Sequence, residues 1–337
     1  MVALKTERRV FLWRVSPHAA PKDAGITVTF DQIFQILNDA FVSKKAFAHL
    51  DSDGNIVPST ASADPKKCIF IADIQVTADK KHCTFLINRG DPDVAHPSFI
   101  NPIAQTVENV APKGDQVQGW SAHMTIATVA DSKGQHRACF ERMQGVSSTL
   151  VQRYLDALTD AATEGDPAYV YDKPLKRGKK TVIEQRPYKL RLGINKIPSE
   201  TLQKDLNDGV LSEITLIKTE PSYAGPGNPE VLNSVKEKLT IHTKKVAKDS
   251  AMDYIKEVTG WAKAHNYDEI QFRINSLPGD TTASPRFLLE KADAMDTLYA
   301  RSRRLTGFTA LLETCYAQIS PEISSKMLAE LTNESLW

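Results

Sequence analysis

The residues best suited to chemistry are cations packed into one short stretch. Between Asp172 and Arg191 the chain carries Lys173, Lys176, Arg177, Lys179, Lys180, Arg186, Lys189 and Arg191, against only Asp172 and Glu184. The whole chain holds 42 Lys+Arg and 41 Asp+Glu, so this charge is a local excess. A local positive field concentrates polyanions and suits phosphate contact. Further cations follow at Lys236, Lys238, Lys244, Lys245, Lys248, Arg273, Arg301, Arg303 and Arg304. Lys176, Arg177, Lys179, Lys180, Lys244, Lys245, Lys248 and Arg273 are the candidate nucleic-acid-binding residues. The competing reading is a set of solvated charges balanced by neighbouring acids. No helix-turn-helix, zinc-finger or aromatic RNP-like pattern accompanies them, so phosphate contact without base reading is expected.

Other chemistries find weaker material. His123-Met124-Thr125-Ile126 follows the H-x-T-apolar pattern of two-histidine phosphoesterases. Those enzymes need a second such histidine, one acting as base and one as acid. His242 is followed at once by Thr243 and Lys244, which breaks the spacing, so His123 reads as a strand histidine. A restriction-type nuclease needs Asp and then Glu-x-Lys to hold Mg²⁺ and orient water. No Glu-x-Lys occurs, and Asp79-Lys80-Lys81 and Asp131-Ser132-Lys133 lie in expected turns. His82, Cys83 and His96 lack partners at metal-ligand spacing. Gly225-Pro226-Gly227 is too stiff and short to cradle phosphate. No catalytic residue, cofactor or metal site is expected.

The elements that must carry these residues divide into two groups. A strand over Val10–Val15 precedes a helix over 29–43, with Asp31 as its expected cap. Strands over 68–76 and 83–88 form a hairpin, with a turn expected at 88–91. Strands over 120–129 and 135–143 form a second pair. A helix capped by Ser147 or Ser148 follows and ends at Gly165. After the basic stretch, strands are expected over 188–194, 211–217, 238–246 and 268–274, with a helix over about 249–265. Arg286–Leu289, a strand near 297–303, a helix over 309–318 and a last helix from Pro321 complete the chain. The fold class is α+β: two mixed domains, each an antiparallel-rich sheet packed with helices. Their expected bounds are 1–165 and 188–337, joined by a basic connector over 166–187.

Length and composition agree with that division. A chain of 337 residues, 41% hydrophobic and 25% charged, can build two ordinary cores. No run of about 18 apolar residues exists, so no membrane insertion is expected. The first residues, MVALKTERRVFLWRVS, lack the apolar stretch of a secretory signal. Cys68, Cys83, Cys139 and Cys315 show no CxxC pair and read as buried free thiols of a cytoplasmic protein.

Residues 242–249, 268–273, 279–280 and Cys315-Tyr316-Ala317 in a terminal helix carry a family resemblance. The second half resembles RexA, the Rex exclusion protein family of phages. That resemblance implies a DNA-binding, dimeric protein of two lobes acting in phage exclusion or antiviral defence. The family offers an Arg and a nearby Lys to DNA. Arg273 matches the Arg, whereas Asn275 stands at the place of the Lys. DNA is the expected partner over RNA, with a phage or host protein as a further partner and a homodimer as the assembly. A protein-interaction or sensor module that binds an acidic partner or DNA mimic is the alternative. A divergent metal-dependent nuclease is the third reading.

Overall fold

The computed structural model describes the chain except for residues 1–4, 22–23, 58–63, 65, 96, 178–179, 198–209, 221–234, 244–250, 266, 268, 278–280, 284–285 and 289–299. The chain divides into two units: residues 1–196 with 303–337, and residues 197–302. The boundary therefore lies some thirty residues beyond the expected end of the first domain, and the C-terminus belongs to the first unit. The physical reason is the strand after the basic stretch, Lys189–Lys196, which pairs with the first strand along eight residues.

The first unit is built on a twisted antiparallel sheet. In chain order its strands are β1 (Arg8–Ala20), β2 (Phe47–Leu50), β3 (Ile56–Val57), β4 (Cys68–Val76) and β5 (His82–Asp91). The small strands β6 (Ser98–Asn101) and β7 (Thr106–Asn109) follow, then β8 (Gln118–Ala127), β9 (His136–Glu141), β10 (Val170–Arg177), β11 (Lys180–Pro187) and β12 (Lys189–Lys196). The main sheet runs β12-β1-β9-β8-β5-β4-β2-β3. β6–β7 and β10–β11 are separate two-stranded ribbons.

Strand alternation sorts this sheet into two faces. Register places Phe85 opposite Met124, Met124 opposite Phe140, and Phe140 opposite Phe11. These apolar residues, with Trp13 stacked on Phe140, form one face. Helix α1 (Phe30–Val42) and helix α2 (Ser148–Thr163) cover that side: Phe34 meets Phe85 edge-on, and Tyr154 bonds to the backbone of Ala46 and Ile71. The opposite face shows Arg8, Glu141, His123, Ser121, Thr84 and Asn88, all buried.

Two local expectations change here. Thr29, not Asp31, caps α1: its hydroxyl accepts from the Gln32 N–H while the Gln32 side chain accepts from the Thr29 N–H. This reciprocal pair satisfies two end groups, and Asp31 instead faces the helix dipole from the first turn. The turn expected at 88–91 is continuous strand, because Gly90 sits opposite both Cys68 and Gly119. A Cβ there would fall 3.1 Å from the Lys66 carbonyl.

The second unit holds β13 (Val210–Glu220), β14 (Val235–His242), helix α3 (Ala251–Ala264), β15 (Glu269–Leu277), β16 (Thr281–Ala283) and β17 (Arg286–Leu288). Its antiparallel sheet runs β14-β13-β15-β16, with β17 also on β15. Leu211, Ile214, Leu216, Ile270, Phe272 and Ile274 pack with Ala251, Ile255, Val258 and Ala262 of α3. The α+β class holds for both units.

The chain then returns through β18 (Ser302–Leu305), which pairs with β1, and ends in helix α4 (Pro321–Thr332). Residues 309–318 form no helix but an irregular strap of bends. Its backbone groups bond mostly to side-chain and backbone groups of the sheet beneath instead of to each other.

Candidate nucleic-acid interface

The basic stretch is a β-ribbon rather than a linker. β10 and β11 pair in register from Val170↔Pro187 to Arg177↔Lys180, leaving two residues, 178 and 179, for the connection. Pro174 and Pro187 are tolerated because each strand of an isolated ribbon has an outer edge that needs no amide donor. The strands contact each other and no other element comparably. Tyr169 and Tyr188 meet at the base with ring centroids 5.7 Å apart, and the Tyr188 N–H donates to the Tyr169 carbonyl.

Register sorts the charge. Tyr171, Lys173, Leu175 and Arg177 share a face with Arg186, Glu184, Val182 and Lys180. That face holds four cations and one acid, whereas Lys176 lies on the other face beside Asp172, Gln185 and Thr181. Only the backbone is described at Lys176, Arg177 and Lys180, and Lys179 lies outside the described residues. Arg177 sits directly across from Lys180, a like-charge pair that disfavours the ribbon on its own. Arg186 reaches Glu184 at 3.2 Å.

Two residues of the original cluster belong elsewhere. Arg191 grips Asp160 with both terminal nitrogens, at 2.7 and 3.0 Å, and Lys189 reaches the same carboxylate at 2.9 Å. Burial pushes Asp160 up, but these bonds outweigh it and hold the carboxyl below its ordinary value. Asp156, one helical turn earlier, is lifted by burial to about 6 against the pull of Arg191. Lys189 and Arg191 thus fasten α2 to β12.

In the second unit, α3 covers one sheet face and leaves the other to polar residues. Glu213 pairs with His242 on one side and Arg273 on the other. His242 Nδ1 and Arg273 Nη1 lie 3.8 and 3.9 Å from its carboxylate, and both side chains are exposed. Lys238 and Thr240 lie on the same face as His242 along β14. β14 ends the sheet, and lysines on an edge strand also guard against strand-to-strand association. Lys244, Lys245 and Lys248 lie outside the described residues. Arg273 is thus the one candidate whose side chain is described, and it is surface-exposed.

The alternative chemistries meet definite geometry. Asp79 and Asp131 are turn residues: Asp79 accepts from the Lys81 N–H, and Asp131 from the N–H groups of Lys133 and Gln135. Among the described residues no group of three or more His, Cys, Asp or Glu converges as a metal site. Cys68, Cys83 and Cys139 are buried free thiols, while Cys315 is exposed, because the strap carries it on the surface.

His123 is fully buried in β8. Its Nδ1 lies 2.6 Å from Glu141, and its Nε2 accepts from the Ser320 N–H at 3.0 Å. Nε2 must present a lone pair to that donor, so the ring proton sits on Nδ1 and donates to Glu141. Arg8 bonds the other Glu141 oxygen at 2.7 Å. Burial pushes the Glu141 carboxyl up, but the His123 hydrogen bond and the Arg8 charge outweigh it and hold it low. Sequence reasoning weighed His123 alone and missed Arg8, Asp73, Asn88, Ser121 and Glu141. The alternation Ser121, His123, Thr125 was the available signal.

No family model matches the chain, and comparison with curated proteins finds no match. No helix among the described residues is long and apolar enough to cross a membrane.

Proposed function

We propose that the protein binds double-stranded DNA through its phosphate backbone, with the β10–β11 ribbon as the principal contact. The observation that carries this reading is the ribbon's charge sorting: Lys173, Arg177, Lys180 and Arg186 share one face with Glu184 alone. A two-stranded ribbon fits the major groove of B-form DNA, whereas the major groove of A-form RNA is too narrow and deep. The like-charge pair at the ribbon end gains most from an anion laid across it. Arg273 is proposed as a further phosphate contact, as are Lys179, Lys244, Lys245 and Lys248, which lie outside the described residues. The phage-exclusion role implied by the family resemblance rests on the residues that carry it.

The test is binding to an unrelated DNA duplex at two salt concentrations, with Mg²⁺ present and absent. Affinity that falls steeply with salt while the DNA stays intact supports backbone binding. Absence of binding at low salt sinks it, and Mg²⁺-dependent loss of the duplex transfers the proposal to a nuclease. Lys179→Glu with Lys180→Glu is expected to weaken binding to all sequences alike and flatten the salt slope. A specific feature favours the second reading, an acidic protein partner. Val182 and Ile183 are exposed apolar residues on the ribbon, and a protein surface covers such groups better than DNA does. Partner binding that is insensitive to salt supports that reading.

A further inference from the structure

The main chain of the strap over residues 312–320 is held by hydrogen bonds to the sheet beneath. Arg8 Nη2 donates to the Glu313 carbonyl at 2.5 Å, and the Ser121 N–H donates to the Thr314 carbonyl at 3.0 Å. Ser121 Oγ accepts from the Tyr316 N–H at 2.9 Å, and Asn88 Nδ2 donates to the Tyr316 carbonyl at 2.8 Å. Asp73 accepts from the Ile319 N–H at 2.9 Å, and His123 Nε2 accepts from the Ser320 N–H. The floor beneath therefore draws on β1, β4, β5 and β8 and meets three carbonyls and three N–H groups of the strap.

Side chains add two apolar anchors and one ring, the half-buried Tyr316, which meets His123 edge-on with centroids 5.5 Å apart. Leu312 and Ile319, seven positions apart, are buried, while Glu313, Thr314, Cys315, Ala317 and Gln318 are exposed. The approach is close: a Cβ on Gly119 would lie 3.1 Å from the Cys315 sulfur. An irregular strap laid on a sheet needs partners for its backbone groups, because buried polar groups are costly when left unmet. Here the buried floor is polar, and it reads backbone rather than side-chain identity.

We infer that this floor is a binding groove for an extended polypeptide, occupied in the isolated chain by its own residues 312–320. The partner it fits is an unfolded or extended segment with two apolar residues seven positions apart and a free main chain between them. Such a segment reproduces the main-chain bonds and the two apolar anchors of the resident strap and displaces it. Gly307, at φ +70, is a swivel ahead of the strap.

The experiment uses a fluorescent peptide of residues 309–321, with Cys315 replaced by Ser, added to the full chain. The chain is compared unaltered and with Leu312→Ala plus Ile319→Ala, which weakens the resident anchors. Saturable binding at least about tenfold tighter to the altered chain supports the groove. So does its loss when the peptide is N-methylated at Tyr316 and Ser320, or carries Ser in place of both apolar anchors. Equal or absent binding to both chains overturns it. If the altered chain does not fold, hydrogen exchange of the unaltered chain decides. Amides of Tyr316, Ile319 and Ser320 that exchange faster than those of β8 support an opening strap. Exchange only at the rate of β8 overturns it. Peptide-reversible dimerisation identifies the partner as a second copy of the chain.

Discussion

Lys189 and Arg191 look like part of a polyanion site in the sequence, yet the fold turns their charge inward onto Asp160 and Asp156. Asp156 makes this testable. Its folded value of about 6 stands above the ordinary 3.8. The folded state therefore favours the protonated carboxyl, and its contribution is complete below about pH 4 and fades as pH rises towards 6. Asp156→Asn is expected to raise stability by about 1–2 kcal/mol at pH 8 and to change little at pH 3.5. Thermal unfolding at both pH values checks this, and an equal effect at the two rejects it. Glu141 behaves oppositely, since Arg8 and His123 depend on its charge. Glu141→Leu strands both partners in the core and is expected to cost about 3–5 kcal/mol in denaturant unfolding. Glu141 was unreadable in the sequence because its partners come from positions 8 and 123, on two other strands.

The ribbon is the element that sequence charge located but did not shape. Its cations were evident as a cluster, while strand pairing divided them between two faces. Isolated two-stranded hairpins are marginal in water, so DNA is expected to slow amide exchange in β10 and β11 more than elsewhere. Unchanged protection in the presence of a bound duplex would remove the ribbon from the interface. Arg177→Glu with Lys180→Glu is expected to reduce the salt slope by roughly 2, about one for each lost phosphate contact. α1 was legible from its period, though not its cap, α2 from period and Ser147, and α4 from Pro321 at its start. The strap was not: residues 309–318 contain helix-compatible residues, but side chains from distant strands capture their backbone groups.

At the scale of the whole molecule, the chain leaves the first unit after β12 and returns through β18, and both strands pair with β1. The two ends of the intervening segment meet, with the Arg301 N–H donating to the Ile197 carbonyl at 2.6 Å. Replacing residues 198–300 by a short Gly-Ser link is therefore expected to leave a folded first unit, because closing a short loop there costs little. A cooperative unfolding transition of the shortened chain checks this, and loss of its near-ultraviolet signal would contradict it.

Periodicity, capping residues and charge density act over neighbours in the chain. They were enough to establish the α+β class, the long strands β1, β4, β5, β8, β9 and β12 to β15, and the one dense run of cations, but not the short strands β2, β3, β6, β7 and β16 or the ribbon β10–β11. Strand partners, the return of the C-terminus, the inward turn of Lys189 and Arg191 and the polar floor around His123 depend on residues far apart in sequence. Folding alone brings them together, since desolvating those groups is tolerable only when each finds a partner from another strand.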